Sequence, residues 1–82
     1  MARKHDKLVA RLDAVEAELL GDDNHLLTAA DYDRLASEAN AVYRTTDEME
    51  TAMEAADRYT RAVRLYDHAV QCKEDYCGEG AK

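Results

Sequence analysis

The chain has 82 residues, a net charge of −7, and no proline, phenylalanine or tryptophan. At this length we expect a single helical domain over residues 1–82, near the lower size limit at which one apolar core is sufficient. The sequence has no run of about 18 apolar residues that could span a membrane, and it lacks the apolar core of a secretory signal. We therefore expect a soluble, cytoplasmic protein.

The first predicted helix covers about residues 2–20. Its apolar residues recur at intervals of four, three and four, which places them on one face of a helix. They are Leu8, Leu12, Val15 and Leu19. Gly21 predicts the end of this helix, because glycine is favoured just after a helix C-terminus.

The second predicted helix covers about residues 28–44. Thr28 marks its start, since a threonine hydroxyl is a good N-cap and Asp31 stands at the third helical position. Its apolar face, again at helical spacing, consists of Tyr32, Leu35, Ala39 and Val42.

The third predicted helix covers about residues 46–76, and residues 77–82 are expected to form a flexible tail. Thr45 or Thr46, followed by several acidic residues, predicts its start, because acids are favoured at the positive end of the helix dipole. Two neighbouring apolar stripes follow. The first is Met49, Met53, Ala56, Tyr59, Val63, Tyr66 and Val70, and the second is Ala62, Leu65, Ala69, Cys72 and Tyr76. A helix of about 30 residues is about 45 Å long, longer than either preceding helix. The elements predict an all-α fold, either a three-helix bundle or a helical hairpin packed on a long C-terminal helix.

Two shorter helices cannot cover the whole apolar face of such a helix, so we expect part of it to contact another protein or a second copy of the chain. The apolar interface candidates are Tyr59, Val63, Tyr66, Val70 and Tyr76. Tyrosine is enriched at protein interfaces because it combines a large contact area with a polar group. The alternative is that these tyrosines are half-buried core residues whose hydroxyl groups reach water.

Acidic residues are concentrated in the middle of the chain. Between Asp13 and Asp57 there are thirteen of them and only two basic residues, Arg34 and Arg44. A surface of this sign attracts basic partners and repels nucleic acid and anionic membranes, so we expect no direct binding to either. The candidate partner-binding carboxylates are Asp13, Glu16, Asp31, Asp33, Asp47, Glu50, Glu54 and Asp57.

Carboxylates in this arrangement can take the place of phosphates, which predicts a small interaction module on the basic, nucleic-acid-binding surface of a partner protein. In size, charge and helicity the chain resembles phage-encoded inhibitors such as anti-CRISPR proteins, and this resemblance implies an inhibitor or adaptor. The alternative is a self-associating structural protein or small accessory subunit. In that case the long helix pairs with its own copy in a homodimer, and the acidic residues keep the protein in solution.

Glu50, Glu54 and Asp57 stand at intervals of four and three on one face of the predicted third helix, where carboxylates suit magnesium. They resemble the acidic helix motifs of MazG-type nucleotide pyrophosphohydrolases, although the paired glutamates that open that motif are absent here. The resemblance implies a metal-dependent nucleotide hydrolase, which we rank third. Since the sequence has no nucleophile motif and no glycine-rich phosphate loop, we predict no catalytic residue, cofactor or metal site and do not expect an enzyme.

Two cysteines, Cys72 and Cys77, lie late in the chain, and His68 precedes the first of them by four residues. These three side chains are fewer than the four ligands of structural zinc, and their spacing matches no established zinc pattern. We expect both thiols to be free, in a reducing compartment.

Overall fold

Three α-helices pack side by side in the computed structural model, which describes residues 3–21 and 27–76. They are α1 (Lys4–Leu19), α2 (Ala29–Arg44) and α3 (Ala52–Tyr76), and each pair of helices is in contact. The described residues contain no strand, and the predicted all-α three-helix bundle is confirmed. None of the described helices combines the length and the apolar character needed to cross a membrane. The predicted tail, with Cys77, lies outside the described residues.

The core lies along one seam between the three helices. In α1 and α2 the predicted apolar faces are buried throughout, and Ala36 joins the face of α2. The core residues are Leu8, Leu12, Val15, Leu19, Tyr32, Leu35, Ala36, Ala39, Val42, Ala62, Leu65, Ala69 and Cys72. Buried alanines on α2 and α3 let these two helices approach closely, and they form the most extensive helix contact in the bundle.

The start of α2 is fixed by a capping box at Thr28. The Thr28 hydroxyl accepts a hydrogen bond from the backbone N–H of Asp31 at 3.2 Å, and the Asp31 carboxylate accepts one from the backbone N–H of Thr28 at 3.0 Å. These bonds satisfy backbone donors that a helix start otherwise leaves free. Hydrogen bonds from the Thr28 backbone and hydroxyl also lower the pKa of Asp31. The prediction of Thr28 as the N-cap is confirmed.

The third helix begins at Ala52 rather than near residue 46. Its cap is Thr51, whose hydroxyl accepts a hydrogen bond from the Glu54 N–H at 3.1 Å, while the Glu54 carboxylate accepts one from the Thr51 N–H at 3.0 Å. Thr45 is the C-cap of α2 and not the N-cap of α3, since its hydroxyl donates a hydrogen bond to the backbone oxygen of Ala41 at 2.8 Å. With 25 residues, α3 is about 38 Å long instead of about 45 Å.

The late start of α3 changes which of its faces is buried. Met49 precedes the helix that was predicted to contain it, and Met49 and Met53 are 77% and 76% exposed, so the described helices leave the start of the first predicted stripe uncovered. The second predicted stripe, which includes Ala62 and Leu65, faces the core instead. Burial on this face begins one turn earlier, at Arg58.

Candidate interaction surfaces

A buried ion pair lies at the end of the bundle where the loop 45–51 joins α2 to α3. Arg58 donates two hydrogen bonds to the carboxylate oxygens of Glu50, at 2.6 and 2.7 Å, and a third to the backbone oxygen of Val42 at 2.7 Å. The Arg58 and Glu50 side chains are 0% and 2% exposed. His5 of α1 also contacts the Glu50 carboxylate, so the loop and all three helices meet at this group.

Glu50 consequently lies in the interior rather than on the acidic surface where the sequence places it. Hydrogen bonding to Arg58 is the main cause that lowers the pKa of Glu50 to about 2, against the opposing effect of burial, and His5 adds to it. Arg58 also donates to the Val42 carbonyl near the end of α2, which accepts a longer hydrogen bond, of 3.3 Å, from the Thr45 N–H. One sequence signal could have indicated this pair: Arg58, Ala62, Leu65 and Ala69 recur at helical spacing, which sets an arginine within an apolar stripe.

Three arginines at the seams between elements each contact two carboxylates, and we call these groups the shared-arginine clusters. They are Asp13–Arg61–Glu16, Glu18–Arg34–Asp31 and Asp6–Arg3–Glu54. Each cluster holds two negative charges and one positive charge, and so leaves a net negative charge at the surface. Four of the predicted partner-binding carboxylates belong to these clusters.

The clusters also connect elements that are distant in sequence. Arg61 of α3 lies 2.6 Å from Asp13 of α1, and Arg3 lies 2.5 Å from Glu54 of α3. The bond from Arg3, together with the cap at Thr51, lowers the pKa of Glu54 to about 2. The Glu54 carboxylate therefore stays ionised at neutral pH.

The other predicted carboxylates, Asp33, Asp47 and Asp57, have different surroundings. Asp33 is 63% exposed and lies 2.8 Å from the Lys73 ammonium. One oxygen of Asp47 accepts a hydrogen bond from the Met49 N–H at 3.0 Å, and the other is buried without a partner among the described residues. Asp57 is exposed and forms no ion pair in the part of the chain that the structure describes. The predicted carboxylates are thus divided between surface clusters, helix caps and the interior.

An exposed aromatic and aliphatic patch lies where α2 meets α3, and we call it the tyrosine face: Tyr43, Tyr59, Val63 and Tyr66. The Tyr43 and Tyr59 rings pack edge to face, with centroids 5.3 Å apart and an interplanar angle of 65°. Tyr43, Val63 and Tyr66 are 44%, 42% and 40% exposed. Shallow grooves of about 320 and 170 Å³ follow this face, and Arg64 lines the first. Three predicted interface residues therefore lie together, joined by Tyr43 of α2.

The two remaining apolar candidates lie differently. Val70 is partly buried against the core, and Tyr76 is the last residue of α3 and is 56% exposed. Tyr43 has no predicted role, although a signal for it exists in the sequence. Tyr32, Ala36, Ala39 and Tyr43 recur at intervals of four, three and four and so define a helical face that turns toward α3.

A wider groove, of about 630 Å³, lies between α1 and α3. Its lining combines apolar Leu65 with charges of both signs, among them Glu16, Arg61 and Arg64. The Arg61 guanidinium already contacts Glu16 and a second carboxylate, Asp13, so it is not free to hold an anionic ligand.

Metal-ligating side chains do not converge within residues 3–21 and 27–76. No group of three or more His, Cys, Asp or Glu side chains there has a geometry that could hold a metal ion. Glu50 and Glu54, which carry the resemblance to the nucleotide pyrophosphohydrolases, contact Arg58 and Arg3 instead. Cys72 is a free thiol inside the core, where burial raises its pKa.

Comparison with protein-family models, curated proteins and solved structures finds no match to this chain. The function therefore has to be argued from the two surfaces that the fold presents, the shared-arginine clusters and the tyrosine face.

Proposed function

We propose that this protein is a small interaction module that occupies a basic surface of a partner protein, as an inhibitor or adaptor. The observation that supports this most directly is the composition of the shared-arginine clusters, in which carboxylates outnumber guanidinium groups two to one. The arginine of each cluster neutralises only one of its two carboxylates. Arginine and lysine side chains of a partner can bind the negative charge that remains. Nucleic-acid-binding proteins present such side chains to phosphates, and they are the class of cytoplasmic partner that we propose.

The arginines of the shared-arginine clusters also hold the carboxylates in position. Arg61 is anchored on α3 and Arg34 on α2, whereas Asp13, Glu16 and Glu18 belong to α1. Each contact therefore fixes a carboxylate relative to a second helix as well as to its own. Side chains that are already ordered lose less conformational freedom on binding, which favours a defined docking surface over a diffuse negative cloud. The proposed role is binding and not catalysis.

The experiment captures partner proteins on the immobilised chain from an extract of the source organism and elutes them with increasing salt. The extract is treated with nuclease so that nucleic acid cannot bridge the proteins. The captured protein is identified by mass spectrometry, purified, and titrated against the chain with and without double-stranded DNA. The test variant is Asp13→Asn/Asp33→Asn, which neutralises two carboxylates that are 62% and 63% exposed. The matched control is Glu74→Gln/Asp75→Asn, which removes the same charge from the exposed end of α3.

We expect the test variant to bind the partner about tenfold more weakly, since each exposed charge pair contributes up to about 1 kcal/mol, and the control to bind nearly as well as the wild type. DNA should compete with the chain for the partner. Equal weakening by both variants, or binding that DNA does not displace, contradicts the proposal.

A further inference from the structure

Two exposed and two partly buried apolar residues of α3 form a continuous stripe. Tyr59, Val63, Tyr66 and Val70 follow one another at intervals of four, three and four, so the stripe is about 17 Å long. This is the spacing by which one helix packs against another. Among the described elements α2 covers one edge of the stripe, where Tyr43 packs on Tyr59, and leaves Val63 and Tyr66 exposed.

The dimensions of the molecule favour an occupant as long as the bundle itself. The described residues extend 47 Å by 19 Å in their two longest directions, so the outline of one side of the bundle is roughly 900 Å², which sets the upper limit for the area that a copy lying along it can cover. A stable interface of standard size buries about 800 Å² on each partner. A second copy of the chain is therefore long enough to form such an interface when it covers most of this side.

The charges beside the stripe are self-complementary. Arg64 lines the groove of the tyrosine face, and Asp67 lies one helical turn from Val63. Neither side chain forms an ion pair in the described part of the chain. An antiparallel pairing that sets Val63 against the second copy's Tyr66 brings Arg64 close to the second copy's Asp67, and twofold symmetry forms this ion pair twice.

We infer that the tyrosine face binds a second copy of this chain, with the α3 helices of the two copies antiparallel across a twofold axis. The inference goes beyond the proposed function, because it uses a different surface and a different partner. Arg64 and Asp67 give this face one charge of each sign, so it offers a basic partner no net electrostatic attraction. The two copies instead bury Tyr59, Val63 and Tyr66 against each other and neutralise the charges at the edge.

The test is the molar mass of the full chain in solution, measured by sedimentation equilibrium from micromolar to millimolar concentration. The variants are Arg64→Asp, Asp67→Arg and the exchange of both charges, Arg64→Asp/Asp67→Arg. Each single variant sets like charges against each other twice and should raise the dimer dissociation constant about tenfold, whereas the exchange should restore it to within about threefold of the wild type. Lys7→Asp is the matched control, because it makes the same charge change on exposed α1 and should leave the dimer unchanged.

Val63→Glu tests the apolar contact itself. Val63 is 42% exposed, so the variant should keep its helical circular dichroism while the dimer is lost. A wild-type chain that stays monomeric at millimolar concentration overturns the inference, and so does a charge exchange that restores nothing. The Asp13→Asn/Asp33→Asn variant should still dimerise, which separates failure of this inference from failure of the proposed function.

Discussion

Glu50→Ala tests how strongly the buried ion pair stabilises the bundle. The substitution leaves the Arg58 guanidinium, 0% exposed, in contact with the Val42 carbonyl and with the Tyr59 ring, whose centroid lies 4.7 Å from the guanidinium carbon. Removing one partner of a buried ion pair costs about 3 to 5 kcal/mol. A chain of 82 residues is expected to unfold with a free energy of about 4 to 12 kcal/mol. Glu50→Ala should therefore remove a large part of the stability and lower the Tm by more than about 12 °C.

The pKa of Glu50 points to a similar magnitude. Its change from 4.5 to about 2 corresponds to roughly 3 kcal/mol of preference for the ionised carboxylate in the folded state, at about 1.4 kcal/mol for each pKa unit. Hydrogen bonding to Arg58 is the largest cause of this change, so the stabilisation should disappear when either partner is removed.

The assay is urea denaturation followed by far-ultraviolet circular dichroism, on the two single variants and the double variant. Arg58→Met should be destabilising like Glu50→Ala, because it leaves a buried carboxylate. The double variant Glu50→Ala/Arg58→Met should lose less than the sum of the single losses, since it leaves no buried charge. Arg61→Met is the control: its guanidinium is 32% exposed, and we expect a loss below about 1 kcal/mol. A loss below about 1 kcal/mol for Glu50→Ala, or strictly additive single losses, refutes the reasoning.

Three further outcomes follow from the same structure. The pKa of Glu50 is lower in the folded than in the unfolded chain, so the stability that its carboxylate contributes should be complete above pH 4.5 and lost as the pH falls toward about 2. In an acid titration, Glu50→Gln should therefore lose less free energy of unfolding than the wild type does. Thr51→Ala should lower the free energy of unfolding by about 1 kcal/mol in urea by removing the cap of α3, whereas Thr46→Ala, at the predicted start, should be nearly neutral. Met49→Ser/Met53→Ser should change this free energy by less than about 0.5 kcal/mol, because both side chains are more than three-quarters exposed; a larger loss in the same assay would show that they pack.

Apolar spacing was sufficient to predict α1 and α2. In α1 the predicted face consists only of leucine and valine, and it is the face that the bundle buries. In α2, Thr28 marked the start of the helix. The start of α3 could not be chosen in the same way, because Thr45, Thr46 and Thr51 are all followed by acidic residues. Two hydrogen bonds in the structure account for the start at Thr51. The Thr45 hydroxyl donates to the Ala41 carbonyl at the end of α2, and Arg58 donates to the carboxylate of Glu50, the residue before Thr51.

The net negative charge was predictable from the sequence, but the neutralisation of individual carboxylates was not. Arg61 and Glu16 are 45 residues apart in the chain, and Arg3 and Glu54 are 51 residues apart. No local pattern encodes such pairs, because they depend on how the helices pack. The tyrosine face was only partly predictable for the same reason, since Tyr43 joins it from a different helix.

The two proposed surfaces should differ in their response to salt. Pairing of two copies brings together molecules that each carry a net charge of −7, and salt screens this repulsion as well as the attraction of the two Arg64–Asp67 pairs, so we expect the dimer to depend only weakly on salt. Docking on a basic partner is weakened by the same screening. The tyrosine face and the shared-arginine clusters have no residue in common, so the dimer that we infer should present two sets of clusters. If a partner has repeated basic sites, the second set meets it at a high effective concentration, and we expect a variant that cannot dimerise to bind such a partner more weakly.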